Sequence, residues 1–191
     1  MFNYKLKFSI RQKGMLAVTV ATMNQYHKGR QWWVAGGFLR DVALNKPIKD
    51  VDVFVNGFAS DALPEDPATD LGKANAYIHY VKNYFHKDTN TEVNVIFLRG
   101  NHWNLQSVAD RCDLGICQAS LCPLTGTQYF SDRFAANFKY KVITVERDTR
   151  REHVERVASK LGWGWMRRGF DLDSRSGFTY NSKNKTMQEL K

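Results

Sequence analysis

The chain has 191 residues, 43% hydrophobic and 13% aromatic, which is enough to bury one good core and excludes a chain disordered throughout. No stretch reaches the roughly 18 apolar residues of a membrane span, so the expectation is a soluble protein with no membrane partner. The net charge of +9 is unevenly spread: residues 1–49 carry nine Lys/Arg against one acid, residues 50–138 six against eleven, and residues 139–191 thirteen against seven. Basic flanks around an acidic middle suit a polyanionic partner beside a metal site, and generic solubility charge is the equally weighted alternative.

Lys5, Lys7, Arg11 and Lys13 before Met15-Leu16-Ala17-Val18 loosely mimic a secretory signal. The helical spacing of Leu16, Val20, Met23 and His27 instead assigns residues 15–28 to an amphipathic helix ending at Gly29. Cys112, Cys117 and Cys122 are odd in number and lack CxxC spacing, which argues against a disulfide framework or a zinc site. A reducing cytoplasm is the expected location. Trp32 to Ala35 read as a short strand, closed by Gly36-Gly37, and Phe38 to Leu44 as a helix stopped at Asn45. Asp50 to Val55 alternate as a strand, and Asn56 to Asp70 read as a loop with Gly57, Pro64 and Pro67.

From Leu71 the apolar positions Ala74, Ile78, Val81 and Phe85 recur at three or four residues and predict a helix capped by Thr69 or Asp70. Glu92 to Leu98 predict a strand with Val93, Val95 and Phe97 on one side. Ser107 to Cys112 predict a short helix with Ser107 and Asp110 in capping-box form. Leu114 to Leu121 and Tyr140 to Val145 are further strand candidates, around a turn at residues 123–126, and Thr149 to Leu161 form a helix. The tail beyond Gly177 is expected to fray. Strands and helices without regular βαβ alternation predict an α+β fold.

The chemistry is concentrated in Val34-Ala35-Gly36-Gly37-Phe38-Leu39-Arg40-Asp41 and Lys49-Asp50-Val51-Asp52-Val53-Phe54. Two glycines at a strand-to-helix turn let backbone approach a ligand, and the following helix start offers free N–H groups to a phosphate. Asp50 and Asp52, two apart on a strand, project to one face. Carboxylates that close repel unless a cation sits between them, and oxygen donors suit Mg²⁺. A phosphate seat beside a metal-binding acid pair implies phosphoryl or nucleotidyl transfer.

Gly36, Gly37, Arg40, Asp41, Asp50 and Asp52 together resemble the head-domain motif of the polymerase-beta-like nucleotidyltransferase superfamily, nearest its CCA-adding and bacterial poly(A) polymerase branch. The resemblance spans roughly residues 30–100 and implies a nucleotidyltransferase fold, a mixed sheet flanked by helices. It further implies an NTP substrate, two Mg²⁺ ions on Asp50 and Asp52, and nucleotide contacts from Gly36, Gly37, Arg40 and Asp41. Arg40 and Asp41 equally well fix the loop structurally. A third carboxylate is implied on a neighbouring strand. Glu92 matches it through the segment Glu92-Val93-Asn94-Val95-Ile96-Phe97-Leu98-Arg99, which carries two extra residues before the Arg. Asp113 is the rival, since Asp110-Arg111-Cys112-Asp113-Leu114 looks more like small viral and eukaryotic relatives. A compact chain with this motif also resembles bacteriophage members.

These readings divide the chain into a catalytic domain (1–148), a C-terminal helix with a basic-aromatic segment (149–180) and a frayed tail (181–191). Trp163, Trp165, Arg167 and Arg168 interleave rings and cations, as a surface that stacks bases would, though tryptophans in a small domain are more often core. The expected reaction moves a nucleoside monophosphate from an NTP to a hydroxyl, first an RNA 3′ end. The alternatives are a protein or small-molecule hydroxyl, or a weakly catalytic protein that inhibits a partner.

Overall fold

A computed structural model describes residues 5–57, 77–147 and 149–167 with their side chains, and the backbone of two further strands. The first helix, α1 (Ile10–Tyr26), starts earlier than residue 15 because Ser9 caps it: Gln12 N–H donates to the Ser9 hydroxyl, and the Gln12 side chain accepts from Ser9 N–H. Its buried face is Met15, Thr19, Thr22 and Met23, about one position around the helix from the face predicted. The two threonines are tolerated inside because Thr19 donates to Met15 O at 2.8 Å and Thr22 to Val18 O at 2.9 Å.

Strand β1 (Trp32–Ala35), helix α2 (Gly37–Ala43) and strand β2 (Asp50–Asn56) follow where the sequence places them. The helix predicted from Leu71 is overturned over its latter part. Residues 78–86 form β3 (Ile78–His86), while Leu71, Ala74 and the proposed caps lie outside the described residues, as does most of the 56–70 loop. The apolar spacing there is compatible with helix, but the run Ile-His-Tyr-Val-Lys-Asn-Tyr-Phe is β-branched and aromatic, and it pairs along β4 (Thr91–Leu98). Pairing partners, which periodicity does not see, decide between the two.

Helix α3 (Leu105–Asp110) is capped by Asn104, with Ser107 in the third position rather than at the cap. The expected strand over 114–121 is a 3-10 turn at Gly115–Cys117 and then β5 (Ala119–Cys122), which forms a hairpin with β6 (Thr127–Phe130). Helix α4 (Asp132–Tyr140), begun by a Ser131 cap on Phe134 N–H, has no counterpart in the prediction. It shortens the next strand to β7 (Val142–Val145). Then come α5 (Arg151–Leu161) and β8 (Gly164–Arg167). In the stretch expected to fray, β9 (Phe178–Asn181) and β10 (Thr186–Glu189) pair antiparallel.

The fold is α+β, built on a six-stranded mixed sheet in the order β3-β4-β2-β1-β5-β6. Only β2 and β4 run parallel within it; the other neighbours are antiparallel. One face carries Val51, Val53, Val55, Val93, Val95 and Phe97, all buried in the main core with residues of α1, α2 and α5. The other face carries Asp50, Asp52, Phe54, Glu92, Asn94 and Ile96, all half-buried. A small second core of Ala35, Leu98, Trp103 and Val108 closes one end of that face, with Trp33 and Phe54 packed on it. Among the described residues no helix is long and apolar enough to cross a membrane.

At the α1 end, His27 Nε2 shares a 2.9 Å hydrogen bond with the Tyr84 hydroxyl, and its ring stands edge-on to Phe97 at 5.1 Å. Burial, and then the Lys82 and Arg30 charges, lower its pKa from 6.5 to about 4. The unfolded chain therefore takes up a proton below about pH 6.5 that the folded chain refuses until about pH 4. Stability from this neutral ring is complete above that window and is lost as pH falls through it. His27→Phe removes this part of the acid sensitivity, so its melting temperature drops less than the parent's between pH 7 and pH 4 in parallel thermal melts.

Candidate active site

The site is assembled by two local devices and one long-range one. The first is the turn from β1 into α2. Gly36 has φ +80° and ψ −133°, a conformation that only glycine adopts without strain, and its N–H donates to Ala119 O. A Cβ there would lie 3.9 Å from both Asp52 Oδ2 and Cys112 Sγ, so the turn sits directly against the second aspartate. The N–H groups that open α2 have no side-chain cap. The backbone donors predicted for a phosphate thus lie beside the acid pair.

The second device is strand alternation, which places Asp50 and Asp52 on the same half-buried face of β2. The third is the parallel register of β2 and β4, which sets Asp50 opposite Glu92 and Asp52 opposite Asn94. Glu92 thereby shares a face with the aspartates. Burial pushes Asp52 up to about 6 against the hydrogen bond from Asn94, and the Asp50 and Glu92 charges push the same way while Arg40 opposes them. Asp113, the rival, has its Oδ2 3.6 Å from His153 Nε2.

Arg40 and Asp41 pair with each other. Both are buried, and the guanidinium donates twice to the carboxylate through Nε and Nη2, each at 2.9 Å. Nη1 donates to Cys117 Sγ at 3.4 Å. Asp41 also accepts Lys160 Nζ from α5 at 2.6 Å, and the same ammonium donates to Pro47 O at 2.8 Å. The sequence reading did not find Lys160; an isolated lysine at the end of a charged helix gives no signal of a partner 119 residues away. Arg40 also packs under the glycine turn, with Nη2 3.5 Å from where a Gly37 Cβ would stand.

The basic-aromatic segment divides. Trp165 belongs to the main core, 8% exposed, so a stacking role for its ring is corrected to packing. Trp163 is half-buried against that core, Arg167 is exposed at the end of β8, and Arg168 lies outside the described residues. All three cysteines are free thiols.

Among the described residues no group of three or more His, Cys, Asp or Glu side chains is placed so that it could hold a metal ion. The acid face nevertheless concentrates negative charge. Three carboxylates share it, and among the described residues their one ion-pair partner is Lys49, whose Nζ is 3.9 Å from Asp50 Oδ2 and largely exposed. The buried Asn94 Oδ1 has no hydrogen-bond partner among the described residues. A positive ligand would satisfy both conditions.

No protein-family model and no curated protein matches the chain. Solved structures do. One is a Bacillus stearothermophilus CCA-adding enzyme in complex with CTP, 20% identical at TM-score 0.54, covering 83% of this chain and 42% of that one. Another is a tRNA-processing enzyme in its apo form 2, 21% identical at TM-score 0.51, covering 77% of this chain and 44% of the other. The chain therefore has the nucleotidyltransferase fold and spans less than half the length of these structures.

Two substitutions test the turn and its support. Asp41→Ala leaves the buried Arg40 charge without its carboxylate and lowers stability by about 3–5 kcal/mol, read by urea unfolding. Gly36→Ala costs about 1–3 kcal/mol from the backbone conformation alone, because the space around its Cβ is open to ordinary contact. Equal stability of the parent and Asp41→Ala would remove the supporting role of this ion pair.

Proposed function

We propose that the protein is a metal-dependent nucleotidyltransferase that moves a nucleoside monophosphate from an NTP to a hydroxyl acceptor, an RNA 3′ end in the first instance. The observation that carries this is the placement of Asp50, Asp52 and Glu92 on one sheet face, against a glycine turn at a helix start. In this reading Asp50, Asp52 and Glu92 would hold Mg²⁺ while the N–H groups that open α2, from Gly37 on, would receive the triphosphate, Gly36 N–H being engaged by Ala119 O. The bound cations would supply neutralising charge for the phosphates and a lowered pKa for the attacking hydroxyl. The acceptor oxygen bonds to the α-phosphorus, the bond from that phosphorus to the β-bridging oxygen breaks, pyrophosphate leaves with the electron pair, and the hydroxyl proton departs to solvent.

The chain's own residues do the positioning. Gly36 and Gly37 carry no side chain that would hold a triphosphate off the backbone. The Arg40–Asp41–Lys160 cluster fixes the turn from beneath, so its donors are set before substrate arrives. Support for an RNA acceptor comes from the basic N- and C-terminal flanks, from the exposed Arg167, and from the CCA-adding and tRNA-processing character of the similar structures.

Incubation with each α-labelled NTP, Mg²⁺ and cell lysate tests the reaction, with label followed into RNA, protein or small molecules. Asp50→Ala and Asp52→Ala are expected to reduce transfer at least about a hundredfold while leaving the fold intact. Glu92→Gln should abolish transfer and Asp113→Asn only weaken it; the reverse ranking would move the third carboxylate to Asp113. Parent-like transfer by the double aspartate variant would refute catalysis.

The acceptor is tested by salt. RNA binding should weaken by roughly 0.7 log units per phosphate contact for each log unit of salt on a single strand. Arg167→Ala should lower that slope, whereas Trp165→Ala should lower the melting temperature instead. Salt-insensitive, weak RNA binding would redirect the reading to a protein or small-molecule hydroxyl.

A further inference from the structure

Aromatic and basic side chains also gather at the sheet edge, on the face away from the carboxylates. There β3 is the outer strand, and its Lys82 and Tyr84 stand opposite Val95 and Val93, on the side packed by α1. Helix α1 ends at Tyr26, with His27 as its C-cap and Lys28 and Arg30 just beyond. The Tyr26 and Tyr84 rings stack, with 5.0 Å between centroids and 24° between planes. Lys82 Nζ lies over the Tyr84 ring at 5.3 Å, and the Arg30 guanidinium over Phe97 at 5.5 Å. His27 anchors the stack through its 2.9 Å hydrogen bond with the Tyr84 hydroxyl.

The two rings differ in what they do for the fold. Tyr84 packs against the main core, whereas Tyr26 is outside it and 52% exposed. Since Tyr84 engages one face of Tyr26, the exposed part of that ring is the side turned away from the stack. A surface ring already held flat loses little freedom when a planar group lies on it.

The charge around the stack is positive. Lys28 and Lys82 are exposed, and among the described residues neither has a carboxylate partner. Helix α1 contains no acid, and the one acid of residues 1–49, Asp41, is buried with Arg40 and Lys160. Lys28, Arg30 and Lys82 outweigh the partial charge of about −0.5 at a helix C-terminus. His27 feels this field: after burial, the Lys82 and Arg30 charges are what hold its pKa down at about 4.

A flat exposed ring among cations matches the chemistry of an unpaired nucleobase with its phosphates. Any base can stack on an aromatic face while the backbone runs past the ammonium groups. A duplex would keep its bases stacked on one another, and an acidic protein segment would use the cations without the ring. We propose that the α1–β3 edge is a binding surface for single-stranded RNA, with a base on the outer side of Tyr26 and phosphates at Lys28 and Lys82. It rests on RNA as the partner named above, and it depends on none of the carboxylates.

The experiment measures binding of the full chain to a fluorescent oligoadenylate of about 12 nucleotides, without NTP or metal, at several salt concentrations. Heparin, a polyanion without bases, is measured beside it. Tyr26→Ala is expected to bind the oligonucleotide about 5- to 100-fold more weakly, the scale of one base–ring stack, and to bind heparin like the parent. Tyr26→Phe keeps the ring and is expected to match the parent. Lys82→Ala is expected to weaken both ligands and to lower the salt slope for RNA by about 0.7. Melting curves accompany each variant, and if Tyr26→Ala does not fold, Tyr26→Leu takes its place with the same expected loss for RNA alone. Parent-like RNA binding by the folded variant, or equal losses for RNA and heparin, overturns the surface even where label still enters RNA. A parent that binds no oligoadenylate at any salt concentration also overturns it. If the variants behave as expected while label enters only protein or small molecules, the surface stands and the RNA acceptor falls.

Discussion

The parallel pairing of β2 with β4 is the constraint from which the rest of the site follows. A shift of one residue in that register would turn Glu92 and Asn94 to the valine face and bring Val93 under Asp52, since strand side chains alternate. The register is held by the opposite face, where Val51, Val53 and Val55 of β2 and Val93, Val95 and Phe97 of β4 are all buried in one core. Placing six apolar side chains in the core is far more favourable than exposing them, so hydrophobic burial on one side fixes the geometry of charges on the other. Carboxylates that would separate in a flexible chain are kept side by side by groups that never touch a ligand.

A second constraint acts from beneath the glycine turn. Asp41 is surrounded by Arg40 and Lys160, and Arg40 also reaches Cys117, so α2, α5 and the turn at Gly115–Cys117 meet at one buried carboxylate. Such a cluster contributes modestly to net stability, because desolvation offsets much of the attraction. Its value is positional: it holds α2 against the sheet beneath the glycine turn. A comparable knot joins α4 to β7, where Asn137 donates to the Thr144 hydroxyl and accepts from Thr144 N–H beside Gly115. A Cβ on Gly115 would collide with the Thr144 hydroxyl, which makes glycine necessary there for packing rather than for backbone freedom.

The C-terminal segment contributes to the body of the protein as well as to its surface. Val154, Val157, Ala158 and Leu161 of α5, with Trp165 of β8, are members of the same core that backs the acid face. Charge on α5 is therefore presented from a packed helix, and Lys160 is spent inward on Asp41. Among the described residues Arg167 is the exposed cation of β8.

The sequence alone determined those features that depend on near neighbours in the chain. The glycine turn, the strands around it, the common face of Asp50 and Asp52 and the α+β class are local consequences of conformational preference and of a two-residue period. The strand of Glu92 was legible from its alternation, whereas Glu92 itself was singled out only by the resemblance of its segment to a family motif. Tertiary structure decided what depends on who packs against whom. Residues 78–86 became a strand because β4 offered an edge, although their apolar spacing also suits a helix. Trp165 went to the core, Asp113 to His153, and Arg40 to Asp41 rather than to solvent. Asn94 reached Asp52 only through register, because the partner of an asparagine on one strand is unknown until the strand beside it is known. A chain records its own periodicities, whereas pairing energies belong to two segments at once and are settled only when both are in place.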